Sequence, residues 1–257
     1  MYDSFLEAIE KGELSVSQKR GIITLLHKGN DRKQLNNWRP ITLLNTDYKI
    51  FSKIIATRLK PLMSSIIHHS QKGFIKGRNI SEVIRYIDDT INLANQSHQS
   101  GLIASVDFSK AFDSVNKNTI TNVLQMFNFG PKFRNLVKIL IKNSESSVKN
   151  GGWVSSWFST NRGVRQGCCA SPYLFLLVAE IMAIKLRGTC EIEGLNINYK
   201  NKLVEINKVI QYADDTTLIL KNENELNSAL TIIEEFGKIS GLKLNKSKSN
   251  ILAIGGF

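Results

Sequence analysis

The sequence predicts an α+β fold, and three observations carry that prediction. Segments with a period of 3.6 and segments of β type alternate along the chain without the strict strand–helix–strand rhythm of a parallel sheet. The 257 residues are 42% apolar, enough for one large domain or two small ones. No heptad or longer repeat breaks the mixture.

Taken in order, residues 21–28 (GIITLLHK) read as a short buried strand, and 29–37 as a polar, turn-rich loop. Residues 47–67 carry Phe51, Ile54, Ile55, Leu59, Leu62 and Ile66 at helical spacing, with Pro61 expected to kink or restart the helix. A second helix fits 80–95, with Ile80, Val83, Ile84, Ile87 and Ile91 on one stripe. A strand over 102–108 follows, and Asp107 sits at its end. Amphipathic helices fit 117–128 and 131–142, divided by Gly130-Pro131, a stop followed by a restart. Gly151-Gly152 between β-type runs predicts a hairpin over 146–160. Residues 172–187 read as an apolar helix and 190–220 as two or three strands. Asn222 with Glu225 resembles a capping pair for a helix whose inner face is Leu226, Leu230, Ile233 and Phe236. Short strands around a Lys-rich turn are expected over 241–253.

Composition also excludes whole classes of function. The longest apolar run, from Pro172 to Ala179, ends at Glu180, well short of the roughly 20 residues a membrane span needs. The acidic N-terminus lacks the basic region of a secretory signal. Three cysteines, two of them adjacent, give neither a disulfide framework nor metal-ligand spacing and point to a reduced, intracellular setting. The net charge of +12 calls for a polyanionic partner, nucleic acid before membrane. That charge is uneven. Residues 132–165 hold seven bases (Lys132, Arg134, Lys138, Lys142, Lys149, Arg162, Arg165) against the single acid Glu145.

Two acidic sites stand out. Asp107 closes an apolar strand, and Asp214-Asp215 lie between the β-type runs Val209-Ile210 and Thr216 to Leu220, as in a hairpin that presents carboxylates at its turn. Carboxylates gathered from adjacent strand ends suit hard divalent cations. Two such ions about 4 Å apart can serve an in-line phosphoryl displacement. Taken singly, Asp107 also reads as a helix N-cap and an Asp-Asp pair as an ordinary turn.

In order along the chain come Asn37-Trp-Arg-Pro-Ile-Thr-Leu-Leu44, Gln71-Lys-Gly-Phe74, Asp107-Phe-Ser-Lys-Ala-Phe-Asp113, Gly163-Val-Arg-Gln-Gly167 with Ala170-Ser-Pro172, Tyr212-Ala-Asp-Asp215 and Gly241-Leu-Lys-Leu-Asn-Lys-Ser-Lys-Ser249. This series resembles the fingers blocks and motifs A to D of non-LTR (LINE-type) retrotransposon reverse transcriptases. The resemblance implies a right-hand polymerase fold, with an antiparallel palm sheet backed by helices and with helical fingers. Its expected layout is fingers over 1–100, a palm over 101–257 with fingers-derived elements interleaved, and no thumb. The sequence thus reads as a fragment or a decayed copy of a longer element protein.

By resemblance, Asp107 and Asp214 are the metal-binding catalytic carboxylates and Asp215 is the third acid, with two Mg²⁺ ions that Mn²⁺ can replace. Phe112 matches the aromatic gate against a ribose 2′-OH, although alone it reads as a core aromatic. Arg39 and Lys28 match triphosphate contacts, the former suited by its bidentate fork. Gln166 and Gly167 match the lining of the nucleotide and template site. Lys248 matches a proton donor to pyrophosphate, while Lys28 and Lys248 both read equally as solvated lysines. Lys132, Arg134, Lys138, Lys142 and Arg165 are expected along the template–primer backbone. The implied partners are an RNA template, a DNA primer and deoxynucleoside triphosphates, with no membrane. The implied location is the nucleus and the cytoplasm. Two further readings stay open, a catalytically silent nucleic-acid-binding remnant and a group II intron-type reverse transcriptase.

Overall fold

A computed structural model describes residues 1–29 and 31–256; Asn30, inside the predicted loop, and Phe257 lie outside the described residues. The chain divides into two units, each assembled from two stretches: Met1–Pro61 with Phe112–Phe175, and Leu62–Ala111 with Leu176–Phe257.

In the first unit the strand expected at 21–28 forms as Arg20–His27. It pairs antiparallel with Trp38–Leu44 and parallel with Glu145–Asn150. The parallel partner lies 125 residues away, at Arg20↔Glu145, and nothing in local periodicity signals it. The Gly151-Gly152 turn closes the expected hairpin between Glu145–Asn150 and Trp153–Val154, and Phe158–Ser159 adds a second short antiparallel partner. Pro61 acts as expected: the helix Thr46–Leu59 ends before it and Met63–Ile66 begins after it. Thr46–Leu59 buries Tyr48, Phe51, Ile55 and Leu59 but leaves Ile54 exposed, so its apolar stripe is narrower than the spacing suggested. Gly130-Pro131 separates Lys117–Met126 from Pro131–Ile141, and these helices pack together with Ile120, Leu124, Val137 and Leu140 buried.

In the second unit four antiparallel strands run in the order Asn250–Ile254, Gly101–Val106, Asp215–Leu220, Val209–Tyr212. The amphipathic helix Ile80–Ser97 covers this layer. Its Val83, Ile87 and Ile91 pack against a core of Ala94, Ile103, Leu195, Ile197, Ile206, Ile210, Ile219 and Ile254. Ile80 and Ile84, read on the same stripe, are exposed instead.

Three expectations need correction here. The stretch 190–220 holds four strands, because Asn196–Tyr199 and Lys202–Glu205 form a separate hairpin besides the two sheet strands. The segment 241–253 contributes one strand, Asn250–Ile254, and an isolated Phe108↔Leu244 bridge. The helix Glu223–Ser240 is capped at Asn222 as predicted, but Glu225 does not complete a capping box. Its buried carboxylate accepts from the Lys221, Glu193 and Gly194 amides instead, tying the helix start to the loop before Asn196–Tyr199. No helix among the described residues is long and apolar enough to cross a membrane.

Candidate active site

The second unit carries the acidic turn. Tyr212 pairs with Asp215 across the hairpin, leaving Ala213 and Asp214 as a two-residue loop. Ala213 adopts φ +58°, the sign required at the first position of a type II′ turn, where glycine is usual. A side chain there costs about 1–2 kcal/mol, so the surroundings have to hold the backbone in place. Buried Gln71 does so. Its Nε2 donates to the Ala213 carbonyl at 3.1 Å, and its Oε1 accepts from the Ala213 amide at 2.8 Å. Gly73 lies so close that a Cβ would meet the Ala213 nitrogen at 2.3 Å, and only glycine tolerates that approach.

Strand register then brings the acids together. Thr216 faces Val106 in the antiparallel ladder, so one step further sets Asp107 opposite Asp215. Partial burial, then the Asp107 carboxylate, raises the Asp215 pKa above the usual aspartate value. The Asp107 carboxylate is itself held. Asn245 Nδ2 donates to its Oδ2 at 2.7 Å, and the Asn245 amide donates to the Asp107 carbonyl at 2.9 Å. The Asp107 amide donates to Ser249 Oγ, which donates on to the Asn245 carbonyl. Lys248 lies in this same turn with its side chain exposed.

Paired, partly repelling carboxylates at adjacent strand ends are the donor chemistry a hard divalent cation relieves, so these residues fit such an ion. Among the described residues no three acids, histidines or cysteines form a ready-made ligand group. A bound cation there therefore takes oxygen donors besides these carboxylates, as Mg²⁺ usually does.

The first unit carries the other expected residues. Phe112 stacks on Phe175 with ring centroids 4.4 Å apart. Gln166 donates its side-chain amide to the Asp113 carboxylate at 3.2 Å, and its carbonyl accepts from the Thr42 amide. Gly167 has φ +117°, and a Cβ there would meet the Thr42 carbonyl at 2.7 Å, which is the physical reason for glycine at this point. Arg39, in the strand Trp38–Leu44, and Lys28 are exposed.

Lys132, Lys138 and Lys142 are exposed on or just after the helix Pro131–Ile141, whereas half-buried Arg134 donates to Gln125 Oε1 at 2.6 Å. Arg165 does not join them. Its guanidinium turns inward, donates to the Lys19 carbonyl and, at 3.1 Å, to the Glu145 carbonyl, and lies 5.1 Å over the Tyr48 ring. Burial lowers its pKa from the usual arginine value. Arg165 is an internal cross-brace, unlike the exposed Lys132, Lys138 and Lys142.

A family model described as "Reverse transcriptase (RNA-dependent DNA polymerase)" matches residues 26–253. The chain belongs to the reverse transcriptase family. The family read from the motifs is therefore the family found.

A Xenopus laevis protein named "Transposon TX1 uncharacterized 149 kDa protein" is 34% identical over 97% of this chain, which covers 19% of that protein. The "Retrovirus-related Pol polyprotein from type-1 retrotransposable element R2" of Popillia japonica is 28% identical over 90% of the chain, which covers 32% of it. The chain thus spans about a fifth to a third of the length of these curated relatives. Telomerase from Candida albicans, solved with a telomeric RNA fragment, superposes with a TM-score of 0.62 at 13% identity, over 98% of this chain and 45% of that one. This likeness shows the fold, a right-hand polymerase arrangement of helices and sheet.

Sequence reasoning did not single out three supporting residues of this reverse transcriptase domain: Gln71, Asn245 and Ser249. Each lies in a quoted motif block, Gln71-Lys-Gly-Phe74 or Gly241 to Ser249. The blocks were the only available signal, because a hydrogen bond spanning 138 or 142 residues leaves no trace in local spacing.

Proposed function

We propose that this domain is the RNA-directed DNA polymerase core of a non-LTR retrotransposon, adding deoxynucleotides to a primer 3′-OH on an RNA template. The observation that carries the reading is the ladder register that sets Asp107 opposite Asp215 at a Tyr-Ala-Asp-Asp turn. The match of residues 26–253 to the reverse transcriptase family supports it.

Asp107, Asp214 and Asp215 hold divalent metal, two Mg²⁺ or Mn²⁺ in their place. Bound there, the ions lower the pKa of the attacking hydroxyl and neutralise the charge on the leaving pyrophosphate. Asn245 orients the Asp107 carboxylate for that task. Arg39 and Lys28 grip the triphosphate, Arg39 through two parallel N–H bonds. Gln166 and Gly167 line the nucleotide and template site, where glycine leaves room for close backbone approach. Phe112, backed by Phe175, leaves no room for a 2′-OH and so selects deoxynucleotides. Lys248 donates a proton to the departing pyrophosphate. Lys132, Lys138 and Lys142 follow the template–primer phosphates, so binding weakens steeply with salt. Residues 1–100 act chiefly as fingers and 101–257 chiefly as palm, and the host protein works in the cytoplasm and the nucleus.

The test is primer extension on an RNA template with deoxynucleotides and Mg²⁺, wild type beside Asp214→Asn. Extension by the wild type alone is expected, with hybrid binding nearly equal in both. Extension retained by Asp214→Asn overturns the metal-site assignment, and none by the wild type overturns the polymerase reading for this stretch of chain.

A further inference from the structure

The turn that carries Asp214 is braced from the block Gln71-Lys-Gly-Phe74. In the second unit, Gln211 and Gln71 form an isolated parallel bridge, with the Gln211 amide donating to Ser70 at 3.0 Å and the Lys72 amide donating to Gln211 at 2.8 Å. This bridge sets the Gln71 side chain, 1% exposed, against Ala213. One amide group then satisfies both backbone groups of the residue held at φ +58°. The same Oε1 also accepts from the Gly73 amide at 2.8 Å, so turn and loop share an acceptor. Arg78 fixes the loop from behind, donating to the carbonyls of His68 and Gln71 (both 2.7 Å), Ile67 (3.0 Å) and Ser64 (3.3 Å).

We propose that Gln71 is a positioning residue for the acidic turn, its carboxamide holding Ala213 in the left-handed region so that the flanking Asp214 and Asp215 keep their aim toward Asp107. This rests on the reading of those three acids as metal-binding carboxylates. The amide is the group the geometry asks for. Ala213 presents an N–H and a C=O together, and a carboxamide is the short side chain that answers both at once. A glutamate of the same shape supplies acceptors only, and it sets an anion against the Ala213 carbonyl. A glycine at 213 adopts the left-handed region without a brace, so the need for Gln71 falls when Ala213 is replaced.

The experiment compares wild type, Gln71→Glu, Gln71→Leu, Ala213→Gly and the double variant Gln71→Leu/Ala213→Gly. Three readouts are taken: amide exchange over residues 209–216, Mn²⁺ binding by electron paramagnetic resonance, and primer extension with kcat and KM for deoxynucleotide resolved separately. Gln71→Glu and Gln71→Leu are expected to speed exchange at the turn. Both are expected to weaken Mn²⁺ binding and lower kcat by about 10–100-fold, the usual effect of losing an outer-shell partner. KM for deoxynucleotide is expected to change little, because Gln71 is 1% exposed and its carboxamide is taken up by Ala213. Ala213→Gly restores much of the loss in the Gln71→Leu background.

Wild-type exchange and Mn²⁺ affinity in Gln71→Glu overturn the proposal, and so does a glycine at 213 that restores nothing. If the wild type extends no primer, the polymerase reading falls by itself. Exchange and Mn²⁺ binding then still decide the brace.

Discussion

Arg78 offers the sharpest quantitative test of how the loop behind the acidic turn is held. Its guanidinium donates to four carbonyls, two at 2.7 Å, one at 3.0 Å and one, on the exposed side, at 3.3 Å. Ser64 belongs to the short helix Met63–Ile66 and the His68 carbonyl also accepts from the Gln71 amide at 3.1 Å, so it is the Ile67 and Gln71 carbonyls that rest chiefly on this one side chain. Replacing Arg78 by methionine keeps much of the apolar stem and removes all five donors. A net value near 1 kcal/mol per bond, with the exposed one discounted, predicts a loss of about 3 kcal/mol. For a chain of this length that is a drop of about 6–12 °C in Tm. Urea unfolding followed by far- and near-ultraviolet circular dichroism measures it. Arg78→Lys retains the charge, yet a single ammonium cannot span four carbonyls fanned over residues 64 to 71, so it recovers less than half the loss. A loss below about 1 kcal/mol in Arg78→Met, or full recovery by lysine, refutes the reasoning.

Three further outcomes follow from the geometry. Glu180 is 2% exposed and paired with Arg187, and burial raises its pKa against the opposing pull of that arginine. Arg187→Met strands the carboxylate at a cost of about 3–5 kcal/mol, and Glu180→Gln in the same background relieves much of it. Because the folded pKa lies above the unfolded one, the penalty is present at neutral pH and fades as pH falls through the raised value; urea unfolding at several pH values reads this out, and a pH-independent loss contradicts it. Asp215→Asn removes repulsion from Asp107, so in EDTA the variant gains a few tenths to about 1 kcal/mol while its stabilisation by added Mg²⁺ shrinks; differential scanning fluorimetry that finds neither change counts against the pairing. Phe112→Val loses the stack on Phe175, about 1 kcal/mol, and raises ribonucleotide incorporation about tenfold or more; undiminished deoxynucleotide preference in primer extension makes Phe112 a packing residue alone.

Much of the site is legible in the order of residues. The Tyr-Ala-Asp-Asp turn is a two-residue hairpin because β-type runs flank it, and Asp107 lies at a strand end because an apolar run stops there. Local punctuation is also reliable. Pro61 and Gly130-Pro131 divide helices where a ring without an N–H must, and Asn222 caps the helix Glu223–Ser240. Local pattern misleads where a residue of suitable type answers to a distant partner. Arg165 reads as one base among seven, yet the Lys19 and Glu145 carbonyls and the Tyr48 ring draw its guanidinium inward. Glu225 has the spacing of a capping box, yet three amides from two segments outcompete the single N-cap amide for its carboxylate.

By itself, then, the order of residues determined the family and most of the elements, and it marked Asp107, Asp214 and Asp215 as the acids to examine, since motif spacing and apolar periodicity are properties of neighbours along the chain. Only the tertiary structure decided that Asp107 stands opposite Asp215 and that Asn245 grips one carboxylate. It alone decided that Gln71 braces the turn beside the others. The physical reason is range. A backbone preference acts over a few residues, whereas a hydrogen bond joins whatever the fold brings to about 3 Å, across 138 residues for Asn245 and 142 for Gln71.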